Sequence, residues 1–402
     1  MSPLTDRATL RLVPPVAAIP PKGGRASPLP LTPDPTRPVA RPGGTAVVYC
    51  EGNFGALDGK TANGLVRHSG IYTVLAVLDS GHAGADTGTM LDGLANGIPV
   101  FGDLAQAVAG LGVTPEFFII GMAPASGRLS PSQRGAVLQA IDAGMHVVNG
   151  LHEFLNEDPE FAAAAVAAGV SMLDVRRPRP SHQLRVFSGR IAEVSCPRIA
   201  VLGTDGAIGK RTTATVLTQA LNQAGIKAVL VGTGQTSIIQ GARYGVALDA
   251  VAPQFCSGEM EAAVVDAFEG EDPDVIIVEG QGALSHPAYL TSAYILRGSQ
   301  PAGVILQHAP HRRMLGDFPL YPMPSPSSEI NLIQTFAATR VIGLTINHEG
   351  MDDDEVSAAI VAYEAELGVP VTDALTRPTE RLVAMVLAAF PELVAKRFSS
   401  QP

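Results

Sequence analysis

The chain of 402 residues contains no tryptophan, and aromatic residues make up only 5% of it. Single-stranded nucleic acid is bound on aromatic stacking platforms, so that class of partner finds no support. Basic residues are outnumbered: 28 Lys and Arg stand against 38 Asp and Glu, for a net charge of −10. A protein that coats nucleic acid displays a basic stripe, and none is visible. The three cysteines, Cys50, Cys196 and Cys256, lie far apart without a CxxC pair. A disulfide framework and a cysteine zinc site are therefore unsupported, and a reducing cytoplasm fits best. No apolar run reaches the ~18 residues that cross a bilayer, so no membrane partner is expected. The opening residues also lack the apolar stretch and small-residue cleavage site of a secretory signal.

What the opening residues do contain is proline, arginine and glycine. Proline removes backbone donors and blocks helix, so residues 1–44 are predicted to be a disordered extension. From residue 45 the texture changes. Apolar runs at 46–50, 72–78, 116–121 and 146–149 alternate with helix-like stretches at 131–143 and 159–168. Buried strands alternating with helices predict a parallel α/β sheet. The polar, proline-broken segment 176–183 (RRPRPSHQ) marks a boundary near 176–196. The rhythm then restarts, with strands predicted at 198–202, 227–232, 274–278, 303–307 and 340–346. Helices are predicted at 210–223, 258–268 and 352–367. The expected architecture is a Rossmann-like parallel-sheet domain over 45–190, followed by a phosphate-loop parallel-sheet domain over 191–402.

The sharpest signal is Gly203-Thr204-Asp205-Gly206-Ala207-Ile208-Gly209-Lys210-Arg211-Thr212-Thr213, between a strand and a helix. A phosphate needs converging backbone N–H donors, and glycines let the backbone approach it. The helix start adds partial positive charge, Lys210 a full one, and a hydroxyl can hold Mg²⁺. In the usual pattern Ser or Thr follows the lysine. Here Arg211 takes that place, so the metal hydroxyl falls to Thr212 or Thr213. Lys210 is expected to be exposed when unliganded. A shorter relative of this motif, residues 55–61 (GALDGKT), offers Lys60 for a second anion.

Residues 274–282 (DVIIVEGQG) read as a buried strand ending in Glu279, a candidate for Mg²⁺ or for proton transfer. His286 follows closely enough to enter the same site as a general base. Thr233, Gln235 and Thr236 close another strand, and they join Gln281 as candidate substrate contacts. His308, His311, Arg312 and Arg313 form a cation cluster suited to a carboxylate or phosphate. Asn347 ends the next strand. In the first half, Asp79 ends a strand, and His152 and Glu153 are candidates to face an interdomain cleft. Neighbours on a helix point ~100° apart, so His152 and Glu153 are not a zinc pair.

Five motifs in order, GLHEFL at 150–155, GTDGAIGKRTT at 203–213, TGQTSI at 233–238, VEGQGALSHP at 278–287 and GSQPAG at 298–303, resemble the D-glutamate N-acetyltransferase-like family. The segment at 49–67 (YCEGNFGALDGKTANGLVR) is similar to the broader family and not to its acetyltransferase branch. The resemblance implies a Rossmann-like domain, a phosphate-loop domain and acetyl transfer from acetyl-CoA. GTD…GK and VEGQG are also similar to dethiobiotin synthetase, which uses ATP and Mg²⁺.

Two enzymatic readings stay open. The first is N-acetylation of an acidic amino acid, with the loop anchoring the phosphates of CoA. The second is an ATP/Mg²⁺-dependent kinase or ligase acting on a small carboxylate, with Thr212 and Glu279 on the metal and Lys210 on the transferred phosphoryl group. A nucleotide sensor without turnover is disfavoured by the crowd of Glu279, His286 and His308. The expected partners are a small-molecule substrate and further copies of the chain.

Overall fold

The computed structural model describes residues 43–124 and 126–399. The predicted disordered extension, residues 43 and 44 apart, lies outside them. Gly44, assigned to that extension, opens the first strand.

Two separate parallel sheets form. The first contains β1 (Gly44–Tyr49), β2 (Tyr72–Leu78), β3 (Val100–Phe101), β4 (Phe117–Ile120), β5 (His146–Asn149) and β6 (Met172–Asp174). Its order is β3-β2-β1-β4-β5-β6, the doubly wound Rossmann arrangement. The second contains β7 (Arg198–Gly203), β8 (Ala228–Gly232), β9 (Tyr244–Gly245) and β10 (Val275–Glu279). It continues with β11 (Gly303–His308), β12 (Arg340–Ile346) and β13 (Val371–Asp373), in the order β13-β12-β11-β7-β10-β8-β9.

The central strands are apolar end to end because helices cover both faces. Phe117–Ile120 and Val275–Glu279 are buried at every position. The short strands β3, β6, β9 and β13 went unforeseen, since two or three residues carry no readable period. Helix ends follow local chemistry. Ser130 and Gln133 form a capping box before Pro131–Asp142, and Asp352 and Glu355 form one before Asp353–Leu367. Among the described residues no helix is long and apolar enough to cross a membrane.

The sheets are held together through the helix Gln235–Gln240, which follows β8. Its Ile239 is buried within the core of the first domain. The Thr236 and Thr61 hydroxyls hydrogen-bond at 2.8 Å. Gln240 Nε2 donates to the carbonyls of Gly64 and His68, at 2.6 Å each, satisfying the end of helix Lys60–Arg67. Arg211 completes the tie by donating to Gln240 Oε1 and, at 3.4 Å, to the Lys60 carbonyl. Its guanidinium lies against Gly64, where an added Cβ would sit 2.3 Å from Arg211 Nη1.

That contact sets a test. In an open helix Gly64→Ala gains ~1 kcal/mol of propensity, but here it must displace Arg211. Losing charge-assisted hydrogen bonds costs roughly 1.5–3 kcal/mol. Gly64→Ala should therefore lower the melting temperature, whereas the same change in an Arg211→Met background should raise it. A double-mutant cycle by thermal denaturation reads the sign.

Candidate functional site

The loop after β7 lies at the middle of its sheet, between β10 and β11. Gly203 ends the strand, and Gly209, at φ +101°, turns the chain into helix Lys210–Gln223. That left-handed turn suits a residue without Cβ. Ala207 also has positive φ, at +45°, and stands exposed at the loop tip. The loop is pinned from outside. Thr204 Oγ1 meets His308 Nδ1 at 2.9 Å, and the Ile208 carbonyl accepts Asn347 Nδ2 at 3.1 Å. Asp205 Oδ1 accepts the Gly206 N–H, and Oδ2 accepts the Gly316 N–H at 2.9 Å and Arg312 Nη1 at 3.0 Å. The segment after β11 is thereby strapped across the loop.

Lys210 is buried, contrary to the expected exposure, and donates to the Asp205 carbonyl. Burial lowers its pKa to about 7, partly countered by Asp205 and Glu279 and reinforced by Lys60 and Arg312. Arg211, expected in the phosphate site, sends its side chain to the first domain, as described above. Thr213, the second candidate for the metal hydroxyl, donates to Gln307 Oε1 at 2.6 Å inside the core. Thr212 is half-buried, with no side-chain hydrogen bond among the described residues.

Glu279 ends β10 beside this loop. Its Oε2 accepts the Thr233 N–H at 2.9 Å, and Thr233 Oγ1 donates to the Glu279 carbonyl and accepts Gln281 Nε2. Burial raises the Glu279 pKa, against the pull of that amide and of Arg211. His286 is buried with its ring stacked on Tyr289 at 4.4 Å. Its Nδ1 accepts the Ala288 N–H at 3.2 Å, which in the neutral ring puts the proton on Nε2. Nε2 is buried and has no partner among the described residues. Burial lowers the His286 pKa, so the ring is an Nε2–H donor and not the general base expected. The turn that carries His286 is held by Glu329, which accepts the Leu284 N–H at 2.5 Å and the Ser285 hydroxyl at 2.6 Å.

The expected cation cluster does not form. Burial drops the His308 pKa to about 4, leaving it neutral. Arg312 is occupied by Asp205 and, at 2.6 Å, by Glu349, and Arg313 is exposed. Gln235 and Thr236 lie at the domain contact, Gln235 packing under Gly150. Glu153 stays within the first domain, accepting the Leu129 N–H at 2.9 Å and Arg134 at 3.3 Å. Asp79 likewise turns inward, receiving the amides of Gly52, Phe54 and Gly81. His152 does reach the second domain, its Nε2 lying 3.8 Å from Asp249.

Sequence reasoning missed Arg176, Gln240, Asp249, Gln307 and Glu329. Arg176 had been read only as part of a polar boundary. It is buried, donates through Nε to the Gly150 carbonyl at 2.7 Å, and pairs with Asp249. No local pattern announces any of the five, because their partners are 26 or more residues away in the chain.

Fold and site together define a two-domain α/β protein: a Rossmann-like unit followed by a phosphate-loop unit. Comparison with known families agrees. The domain of unknown function DUF1611_C, a P-loop domain, matches residues 185–383, and DUF1611_N, a Rossmann-like domain, matches residues 80–178. The chain belongs to the DUF1611 family. It is 30% identical to a DUF1611 family crystal structure from Anabaena variabilis, covering 86% of this chain and 99% of that one with a TM-score of 0.79. It is also 30% identical to proteins named D-glutamate N-acetyltransferase from Tritonibacter scottomollicae and from a Pseudoalteromonas species. These alignments cover 67% and 66% of this chain and 80% of each relative.

The state of Lys210 makes binding at the loop pH-dependent. With a free-state pKa of about 7, Lys210 is protonated below pH 7 and largely neutral well above it. An anion at the loop favours the charged form, so binding above pH 7 takes up a proton. The affinity for a phosphate-bearing ligand should fall by up to ~10-fold per pH unit between pH 7.5 and 9.5. Calorimetry in buffers of different ionisation enthalpy measures that uptake. Lys210→Met should bind weakly, without the slope.

Proposed function

We propose that this protein transfers the acetyl group of acetyl-CoA to the amine of a small acidic amino acid, with a CoA phosphate held by the Gly203–Thr213 loop. The observation that carries this reading is the fate of Arg211. The position at which phosphate-loop NTPases place a Mg²⁺-holding hydroxyl is occupied by an arginine that ties the domains together. A loop that only anchors phosphate tolerates that replacement, and one that must hold a metal for phosphoryl transfer does not tolerate it as readily. The acetyltransferase names of the relatives support the same chemistry.

In this reading Glu279 takes the proton of the substrate ammonium. Its raised pKa makes it a stronger base than an exposed carboxylate. The freed amine attacks the thioester carbonyl, the C–N bond forms and the C–S bond breaks. The proton passes from Glu279 to the departing thiolate, and the regenerated carboxylate takes the second proton that the nitrogen loses on becoming an amide and releases it to water. The unpartnered Nε2–H of His286 is free to donate to the oxyanion that develops on the carbonyl.

The alternative, an ATP/Mg²⁺-dependent kinase or ligase, is favoured by one feature: the Thr212 hydroxyl is free of protein partners among the described residues. Thr212 and Glu279 would hold the ion and let it neutralise phosphate charge. The burial that raises the Glu279 pKa works against a metal-ligand role.

Thermal shift with acetyl-CoA, CoA, ATP and ADP, each with and without Mg²⁺, separates the readings. A ligand at 100 times its Kd adds ~2.7 kcal/mol. Acetyl-CoA should stabilise the protein regardless of Mg²⁺. Stabilisation by ATP that requires Mg²⁺, with none by acetyl-CoA, would overturn the proposal. Glu279→Gln should lower kcat by ~10²-fold while acetyl-CoA still binds. His286→Ala should also lower kcat by ~10²-fold, as removal of an oxyanion donor does.

A further inference from the structure

In a doubly wound sheet, ligands bind outside the carboxyl ends of the strands where the strand order reverses. In the first domain that point lies between β1 and β4. The chain leaving β1 runs through residues 50–59 into helix Lys60–Arg67, so Lys60 stands at this reversal. The helix is also docked on the second domain, through Thr61 to Thr236 and through Gly64 to Gln240 and Arg211. The ligand edge of the first sheet is thereby held toward the phosphate loop.

The charges there do not balance. Among the described residues the Lys60 ammonium makes no hydrogen bond and no carboxylate comes within 4 Å of it; only the Lys60 backbone is bonded, its carbonyl to Arg211 and its N–H to Leu57. Solvent reaches the side chain, yet the protein around it strips enough hydration to lower its pKa, and Arg176 and Arg211 add like-charge repulsion. Asp317 and Asp58, neither within 4 Å of the ammonium, pull the other way, each more strongly than Arg211 repels. Arg176 is 6% exposed and fixed by the Gly150 carbonyl. It shares a single carboxylate, Asp249, with His152. His152 is itself held toward neutrality by partial burial and by Arg176 and Lys60. With Arg176 paired to Asp249, the Lys60 ammonium is the member of this group that lacks an ion pair among the described residues, and a partly desolvated cation is unfavourable unless something anionic completes it. In a chain of net charge −10 such a cluster is also a focused attraction for an anion.

We propose that Lys60 and Arg176 of the first domain form the subsite that holds the carboxylate of the acceptor amino acid, on the side of that domain nearest the Lys210 loop. The identity of the acceptor rests on the acetyl-transfer reading above. Other cations are committed elsewhere: Arg312 to Asp205 and Glu349, Arg211 to Gln240, and Lys210 to the phosphate loop itself. Arg176 keeps Nη2 without a hydrogen bond among the described residues, and Lys60 supplies a compact point charge beside it. The acceptor is thus a small amino acid bearing at least one carboxylate, held by the domain that does not hold the donor.

Calorimetric titration of the full-length protein with D-glutamate, L-glutamate and D-aspartate, and separately with acetyl-CoA, tests this. Lys60→Met should weaken the binding of the acidic amino acid by ~10-fold or more, as loss of a charge-assisted contact predicts, and change acetyl-CoA affinity by less than about twofold. Lys60→Arg should restore most of the loss. The subsite is overturned if Lys60→Met binds the amino acid as the wild type does, or loses acetyl-CoA instead. It is also overturned if none of the three amino acids binds the wild type with or without acetyl-CoA. Failure of acetyl-CoA to bind the wild type strikes at the loop reading alone, because the amino-acid titrations are read without it.

Discussion

Arg211 reaches the first domain because residue 64 carries no side chain. The guanidinium fills the space a Cβ would occupy, and Gln240 bridges it to the carbonyls of Gly64 and His68 at the end of helix Lys60–Arg67. Several other features follow from this contact. The residue next to the phosphate-loop lysine is fixed to the opposite domain, so the loop and the carboxyl edge of the first sheet keep a set separation. Ile239, buried in the core of a domain to which it does not belong in sequence, supplies the apolar part of the same joint. A charge-assisted network alone contributes little once its desolvation is counted. Apolar burial beneath it is what makes such a joint persist.

Burial also shapes the chemistry. Lys210, Glu279, His286 and His308 all lie in the second domain near one sheet edge, and desolvation pushes each toward its neutral form. Their roles then divide by hydrogen bonding. His308 is engaged by Thr204 and serves the fold. His286 has one nitrogen occupied and the other buried without a partner among the described residues. Glu279 is oriented by the Thr233 amide, with the Gly234 amide and the Ser237 hydroxyl adding to the pull on its carboxylate, and burial still raises its pKa so that it accepts a proton more readily. The strap after β11 uses Arg312 to neutralise Asp205, which keeps that loop carboxylate from repelling a phosphate.

Much of the fold was legible in the sequence. The runs that became β4 and β10 are continuous and apolar up to the carboxylate that ends β10, and a strand buried on both faces requires that pattern. Helix Lys210–Gln223 and the phosphate loop before it were readable because a phosphate-binding turn constrains consecutive residues. Edge strands of two or three residues were not readable, nor were Arg176, Asp249 and Glu329. Their significance comes from partners brought near by folding.

The sequence by itself determined two parallel α/β domains, the phosphate loop and the acidic end of β10, since each is written in neighbouring residues whose local geometry is nearly fixed. The tertiary structure decided which charges remain available. Arg312 and His308 looked cationic in sequence, yet the structure spends one on Asp205 and neutralises the other by burial. Lys60, offered by the sequence for a second anion, keeps an ammonium without a hydrogen bond or ion pair among the described residues. Whether an ionisable group is free depends on the desolvation and the counter-charges around it, and these come from distant parts of the chain that only the folded packing of the two domains brings together.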